Sequence, residues 1–141
     1  MEANTISLVQ NSFQKVIPIA DTAMEIFYQK LFEINPDVIS LFPKNEAQMG
    51  GQRNKLRDML VAAVNGLSNL EALVPILQNL GKRHVAYGVK DAHYDDVGAA
   101  LLGTLEAGLG EDFTEEVKQA WTEVYGVMAS TMINAAATVE A

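Results

Sequence analysis

Apolar residues return every three or four positions along most of the chain, and prolines, glycines and short polar clusters separate the periodic stretches. Such spacing lines up side chains on one face of a helix with 3.6 residues per turn. A first helix is predicted over about residues 5–17, with Ser7 and Gln10 spaced as a capping box and Pro18 at its end. A second runs from Thr22, where Glu25 completes another such box, to Asn35, where Pro36 stops it. Residues 37–51 carry Phe42-Pro43 and paired glycines and read as a short irregular segment. Helical spacing resumes over about 52–65, with Gly66 as the C-terminal cap. It returns from Ser68, with Glu71 at box spacing, to Gly88, and Pro75 and Gly81 are expected to divide or kink that stretch. Two long helices close the pattern, one over about 91–109 with Gly110 as its cap and one from after Thr114 towards Ala137. No sustained period-two alternation is present, so the expectation is a single all-α domain over residues 1–141, built from six to eight unequal helices.

Composition narrows the classes of function. A chain of 141 residues with 49% hydrophobic and 20% charged residues is long enough for one core and is not disordered in character. With 10 Lys and Arg against 18 Asp and Glu, the formal charge is -8, which argues against nucleic acid and against anionic lipid as partners. Cysteine is absent, which removes thiolate zinc sites, iron–sulfur clusters, disulfides and covalently attached haem. The longest apolar run, residues 59–64, falls far short of the roughly 20 residues that cross a bilayer. No secretory leader opens the chain, so a cytoplasmic location is expected.

The informative positions are polar residues on apolar faces. Leu73, Ile76, Leu77 and Leu80 recur at helical intervals, and His84 stands four beyond Leu80 on the same stripe, so its ring is expected to point inward. An inward imidazole needs a partner, either a metal or a backbone carbonyl. His93, beside Asp91, Tyr94 and Asp95 near a helix start, suits an exposed or supporting role instead. Gln52 precedes the stripe of Leu56, Met59, Leu60 and Ala63, and Tyr28 falls among Met24, Phe27, Leu31 and Phe32. Gln52 is either an inward amide or a helix-terminal residue reaching solvent. Tyr28 is either an inward donor or a core aromatic with a wet tip. Phe42, by itself, is a loop aromatic plugging the core.

Several segments then occur in a telling order: 26–32 with Tyr28, Asn35-Pro36 and Leu41-Phe42, 52–56 with Gln52 and Leu56, 80–84 with His84, 93–98 with Tyr94 and Val97, and 120–127 with Trp121. Together they resemble the globins, and more narrowly the bacterial single-domain globins and the haem domain of flavohaemoglobins, over nearly the whole chain. The resemblance implies a three-over-three helical sandwich around one b-type haem, with His84 as the iron ligand. It implies a haem-lining set of Tyr28, Phe42, Gln52, Lys55, Leu56, Leu80, Arg83, His84, Tyr94 and Val97. Tyr28 and Gln52 would be the distal gas-stabilising pair, Phe42 would stack on the macrocycle, and Leu56 would exclude water. Lys55 and Arg83 would lie near the propionates, although a solvated face suits both equally and Lys55 could instead close the iron's sixth position.

Two departures from the flavohaemoglobin pattern stand out. Where that family has a glutamate of the last helix joined to a tyrosine and the proximal histidine, this chain has Tyr94 but Thr138, which implies a weaker electronic push and less peroxidase-like chemistry. The flavin- and nicotinamide-binding domains are not in this sequence, so a separate reductase is the expected partner. The implied function is reversible, high-affinity binding of oxygen, with nitric oxide and carbon monoxide as further ligands. Nitric oxide dioxygenase chemistry with an external reductase, a gas sensor and a haem-free helical interaction module are the alternatives.

Overall fold

The computed structural model describes residues 2–42, 45–86 and 89–140. Six α-helices carry the fold: α1 (Ala3–Val16), α2 (Ala20–Ile34), α3 (Glu46–Gly66), α4 (Leu70–Ala86), α5 (Asp91–Leu109) and α6 (Glu115–Glu140). Short 3-10 turns lie at Ile17–Ile19, Pro36–Leu41 and Gly110–Asp112, and there is no strand among the described residues. The all-α expectation therefore holds. No described helix is long and apolar enough to cross a membrane.

Helix ends follow local chemistry in some places and tertiary packing in others. The last two helices begin and end close to where the pattern puts them, and Gly110 takes φ 55° with ψ -122°, a positive-φ backbone that a glycine tolerates. The start of α3 differs. Asn45 Oδ1 accepts a hydrogen bond from the Gln48 backbone N–H at 3.1 Å, so the helix begins at Glu46 and runs through Gly50 and Gly51, which were expected in an irregular segment. Gly66 is the last residue of α3 and Leu67 after it stays in the right-handed helical region, so no left-handed cap forms there.

The anticipated capping boxes do not form at Ser7 or Thr22, both of which lie inside helices that start earlier. Gln10 instead reaches across the molecule, donating from Nε2 to the Val64 carbonyl and to Ser68 Oγ, each at 3.0 Å. One amide thus ties α1 to the α3–α4 junction. Pro18 opens a 3-10 turn into α2 instead of closing the chain's path. Pro75 sits inside a continuous α4 and does not divide it. Gly88 and Pro43 lie outside the described residues.

Within α4, Leu73 and Leu77 are buried and Leu80 and His84 half-buried, but Ile76 is 53% exposed. At 100° per residue these four fall within a narrow arc and Ile76 lies about 60° to one side, so the inward stripe is narrower than the sequence suggested. Gly81 sets how closely α4 meets α6. A Cβ there would come 2.7 Å from the Met132 Cα and nearer still to its carbonyl oxygen, so only glycine lets the two backbones meet.

The main core sits where α1 and α2 pack on α6 and α5. Trp121, Val9 and Val124 are completely buried there, and the Phe13 ring lies 6.0 Å from Trp121. Buried indole N–H groups need an acceptor. Trp121 Nε1 donates to Ser12 Oγ at 2.8 Å, and that hydroxyl donates in turn to the Leu8 carbonyl at 2.7 Å.

Candidate functional site

Beyond that core, α2, α3, α4, α5 and α6 line a partly open cavity of about 200 Å³. Its walls are mostly apolar, with Phe27, Leu31, Leu56, Leu77, Leu101 and Met128 among them. Polar side chains enter from two directions. Tyr28 and Gln52 come from the wall made by α2 and α3, and His84, His93, Tyr94 and Tyr125 come from α4, α5 and α6.

Tyr28 reaches the cavity because α2 buries one stripe, Met24, Phe27, Tyr28 and Leu31. Its ring is fixed by aromatic neighbours, edge-on to Phe27 at 5.1 Å and to Phe42 at 5.3 Å, and 5.9 Å from Phe32. Gln52, six residues after the first residue of α3, donates from Nε2 to the Tyr28 hydroxyl at 3.3 Å. With its oxygen accepting that bond, Tyr28 still has its own hydrogen to give. Burial raises its pKa above the usual phenol value, against the smaller opposing effects of Gln52 and Arg53, so the hydroxyl stays protonated. The early start of α3 is what holds Gln52 within a regular helix rather than at a fraying end.

His84 is oriented by its own helix. Its Nδ1 lies 2.6 Å from the Leu80 carbonyl oxygen, which only accepts, so Nδ1 carries a hydrogen. In the neutral ring the lone pair is then on Nε2, the atom a metal would take. The Tyr94 ring lies 6.2 Å away, and the Tyr125 hydroxyl donates to the Tyr94 carbonyl at 2.6 Å, fastening α6 to the start of α5. Gly98 makes room for this contact, since a Cβ there would lie 2.9 Å from the Tyr125 ring. His93 also lines the cavity. Its Nδ1 accepts from the Lys90 backbone N–H at 3.0 Å, so it caps α5 as well.

Of the residues singled out from sequence, Tyr28, Phe42, Gln52, Leu56, Leu80, His84, Tyr94 and Val97 all line this cavity. Lys55 and Arg83 are exposed and do not line it. Thr138 is also exposed, and its hydroxyl binds the Ala135 carbonyl of its own helix at 2.7 Å. His93, given an exposed or supporting role from sequence, lines the cavity as well, and a stripe on α6 was missed. Tyr125, Met128 and Met132 follow Trp121 at helical spacing and were legible as one face, although not as a cavity wall.

The donor set limits what the cavity can hold. Among the described residues no three His, Cys, Asp or Glu converge on one point, so no bare metal ion finds a protein cage. One imidazole with a set tautomer, apolar walls and two hydrogen-bonding side chains from another wall suit a flat apolar group whose own atoms supply the remaining metal ligands. A haem has that form, and the residues present fit it.

Comparison with known proteins agrees. Residues 25–132 match the globin family. The chain is 33% identical over 137 residues to the Bacillus cereus protein named flavohemoprotein, covering 95% of this chain and 33% of that protein. It is 27% identical over 133 residues to the Bacillus subtilis flavohemoprotein, covering 94% of this chain and 33% of that protein. It therefore spans about a third of the length of these curated relatives. A globin structure from Campylobacter jejuni superposes with a TM-score of 0.85 at 24% identity, covering 99% of both chains, which shows the shared fold. With the cavity, its histidine and these matches in hand, the chain belongs to the globin family as a haem-binding globin.

Proposed function

We propose that the protein holds one b-type haem through His84 Nε2 and binds oxygen reversibly and with high affinity against Tyr28 and Gln52. The observation that carries this reading is the hydrogen bond from Gln52 to the Tyr28 oxygen, which leaves a buried, protonated hydroxyl to donate within the cavity. Haem, when bound, supplies an iron with one position for a diatomic gas. The chain's own residues do the rest. The Leu80 carbonyl keeps the His84 ring in one tautomer and orientation, and Phe42 and Leu56 fill the space around the gas and keep water away. A donated hydrogen bond favours a ligand that draws negative charge, as oxygen does, over one that does not, as carbon monoxide.

The test is spectroscopic. Purified protein supplied with haem is expected to give a one-to-one complex with a Soret band, and His84→Ala is expected to lose most of that binding. Stoichiometric haem retained by His84→Ala would displace His84 as the ligand. The absence of any Soret band in the wild type would remove the haem reading altogether and leave a helical interaction module.

A further inference from the structure

The walls of the cavity carry no charged side chain. Among the described residues no Lys, Arg, Asp or Glu lines it, and Lys55 and Arg83, which the resemblance puts near the propionates, are exposed and lie outside the lining. A haem nevertheless brings two carboxylates. Burying a carboxylate without a partner is costly, so these groups must stay towards solvent and meet whatever donors the lining offers.

Four polar side chains of the lining are half-buried rather than buried: Gln52, His84, His93 and Tyr125. Three of them have partners that explain their placement. Gln52 donates to the Tyr28 hydroxyl, His84 Nδ1 is tied to the Leu80 carbonyl, and the Tyr125 hydroxyl donates to the Tyr94 carbonyl. His93, the third residue of α5, is the fourth. Its Nδ1 accepts from the Lys90 backbone N–H, which can only donate, so Nδ1 holds the lone pair and the neutral ring carries its hydrogen on Nε2. That N–H has no protein partner among the described residues. One ring nitrogen is thus fixed by main chain, and the other is left as a donor on a residue that lines the cavity.

We infer that His93 Nε2 donates a hydrogen bond to a carboxylate of the haem, a role that rests on the haem reading above. The backbone contact at Nδ1 sets both the tautomer and the direction of the ring before any cofactor arrives, so little freedom is lost when the bond forms. A neutral donor also suits a wall that holds no charge of either sign, because no competing carboxylate of the lining stands ready to take the hydrogen.

The cap on α5 uses the Nδ1 lone pair and the inferred bond uses the Nε2 hydrogen, so substitutions separate the two. Glutamine keeps both, since its oxygen can accept from the Lys90 N–H while its amide donates. Glutamate keeps the acceptor but has no hydrogen to give, and leucine keeps neither. The experiment follows transfer of the cofactor from the loaded ferric protein to an excess of apomyoglobin, once with haem and once with iron etioporphyrin, which has no carboxylates. The quantity read is the ratio of the two loss rates. It is expected to rise about tenfold in His93→Leu, at least as much in His93→Glu, and to stay near the wild-type value in His93→Gln. Thermal melts of the haem-free proteins should place His93→Glu with the wild type, so that its faster haem loss is not a loss of fold. An unchanged ratio in His93→Leu and His93→Glu would leave His93 as a helix cap and overturn the inference, and so would a ratio in His93→Gln as high as in His93→Leu. A wild type that shows no Soret band with haem would overturn the haem reading itself, whereas a normal Soret band with a ratio indifferent to position 93 would overturn this inference alone.

Discussion

At Tyr28 one oxygen accepts and one hydrogen remains to be given, and burial keeps that hydrogen in place. A hydrogen bond to a charge-bearing acceptor contributes about 1.5–3 kcal/mol, so Tyr28→Phe is expected to release oxygen about ten- to a hundredfold faster in stopped-flow measurements. Gln52→Leu removes the group that orients the hydroxyl, and a smaller acceleration is expected. Unchanged rates in both variants would remove the pair from the account. Protonation adds a second expectation. Burial raises the pKa of Tyr28 and of Tyr125, the latter helped by Tyr94 and Asp95. Because both folded-state values lie above the unfolded value near 10, their contribution to stability is present in full below about pH 10. It is lost as pH rises through the folded values. Chemical denaturation midpoints should therefore be insensitive to these groups from pH 6 to 9 and fall in stronger alkali, and the oxygen dissociation rate should be flat over the same neutral range.

Between helices the closest fit is at Gly81, where α4 meets the α6 backbone. Gly81→Ala improves helix propensity by up to about 1 kcal/mol, but its methyl would collide with main chain that cannot rotate away. The collision wins, with an expected loss of about 1–3 kcal/mol in urea denaturation, and because His84 lies on the same helix, haem affinity should fall too. An unchanged midpoint would mean that the helices can part without cost. From the sequence alone this glycine looked like a kink, since a single chain shows the missing side chain but not the helix that passes over it. The same holds for Ile76, whose spacing matched the inward stripe although the neighbouring helix covers a narrower arc. The starts of α1, α2 and α3 were misjudged for a related reason. Ser7-Gln10 has box spacing, but Gln10 finds better partners at Val64 and Ser68, more than fifty residues away. Legible features were those fixed locally or by strict periodicity: the two long final helices, the Gly110 cap, and His84, Tyr28 and Gln52 as polar residues on apolar faces. The role of Phe42 was legible only through the family resemblance, because its partners, Tyr28 and Phe32, meet it through the fold.

For the molecule as a whole, the cavity is an apolar cleft between the helices that opens to solvent. A flat apolar group seated there removes these walls from water, at about 25 cal/mol per Å² of apolar surface covered. Domains are stable by only about 5–15 kcal/mol, so a few kcal/mol gained on filling the cavity is a large fraction of the total. A group that fills the cavity in the folded state alone stabilises it by RT ln(1 + [L]/Kd), about 2.7 kcal/mol at a hundredfold excess over Kd. Thermal melts followed by circular dichroism should therefore rise by roughly 10 °C on adding haem to the wild type. His84→Ala separates the two sources of that gain. Without the imidazole a macrocycle still fills apolar space but loses its axial bond, so the variant should keep a small part of the shift. If the variant gained as much as the wild type, burial of the ring system alone would account for the stabilisation, and the tautomer set by the Leu80 carbonyl would have no part in holding the cofactor.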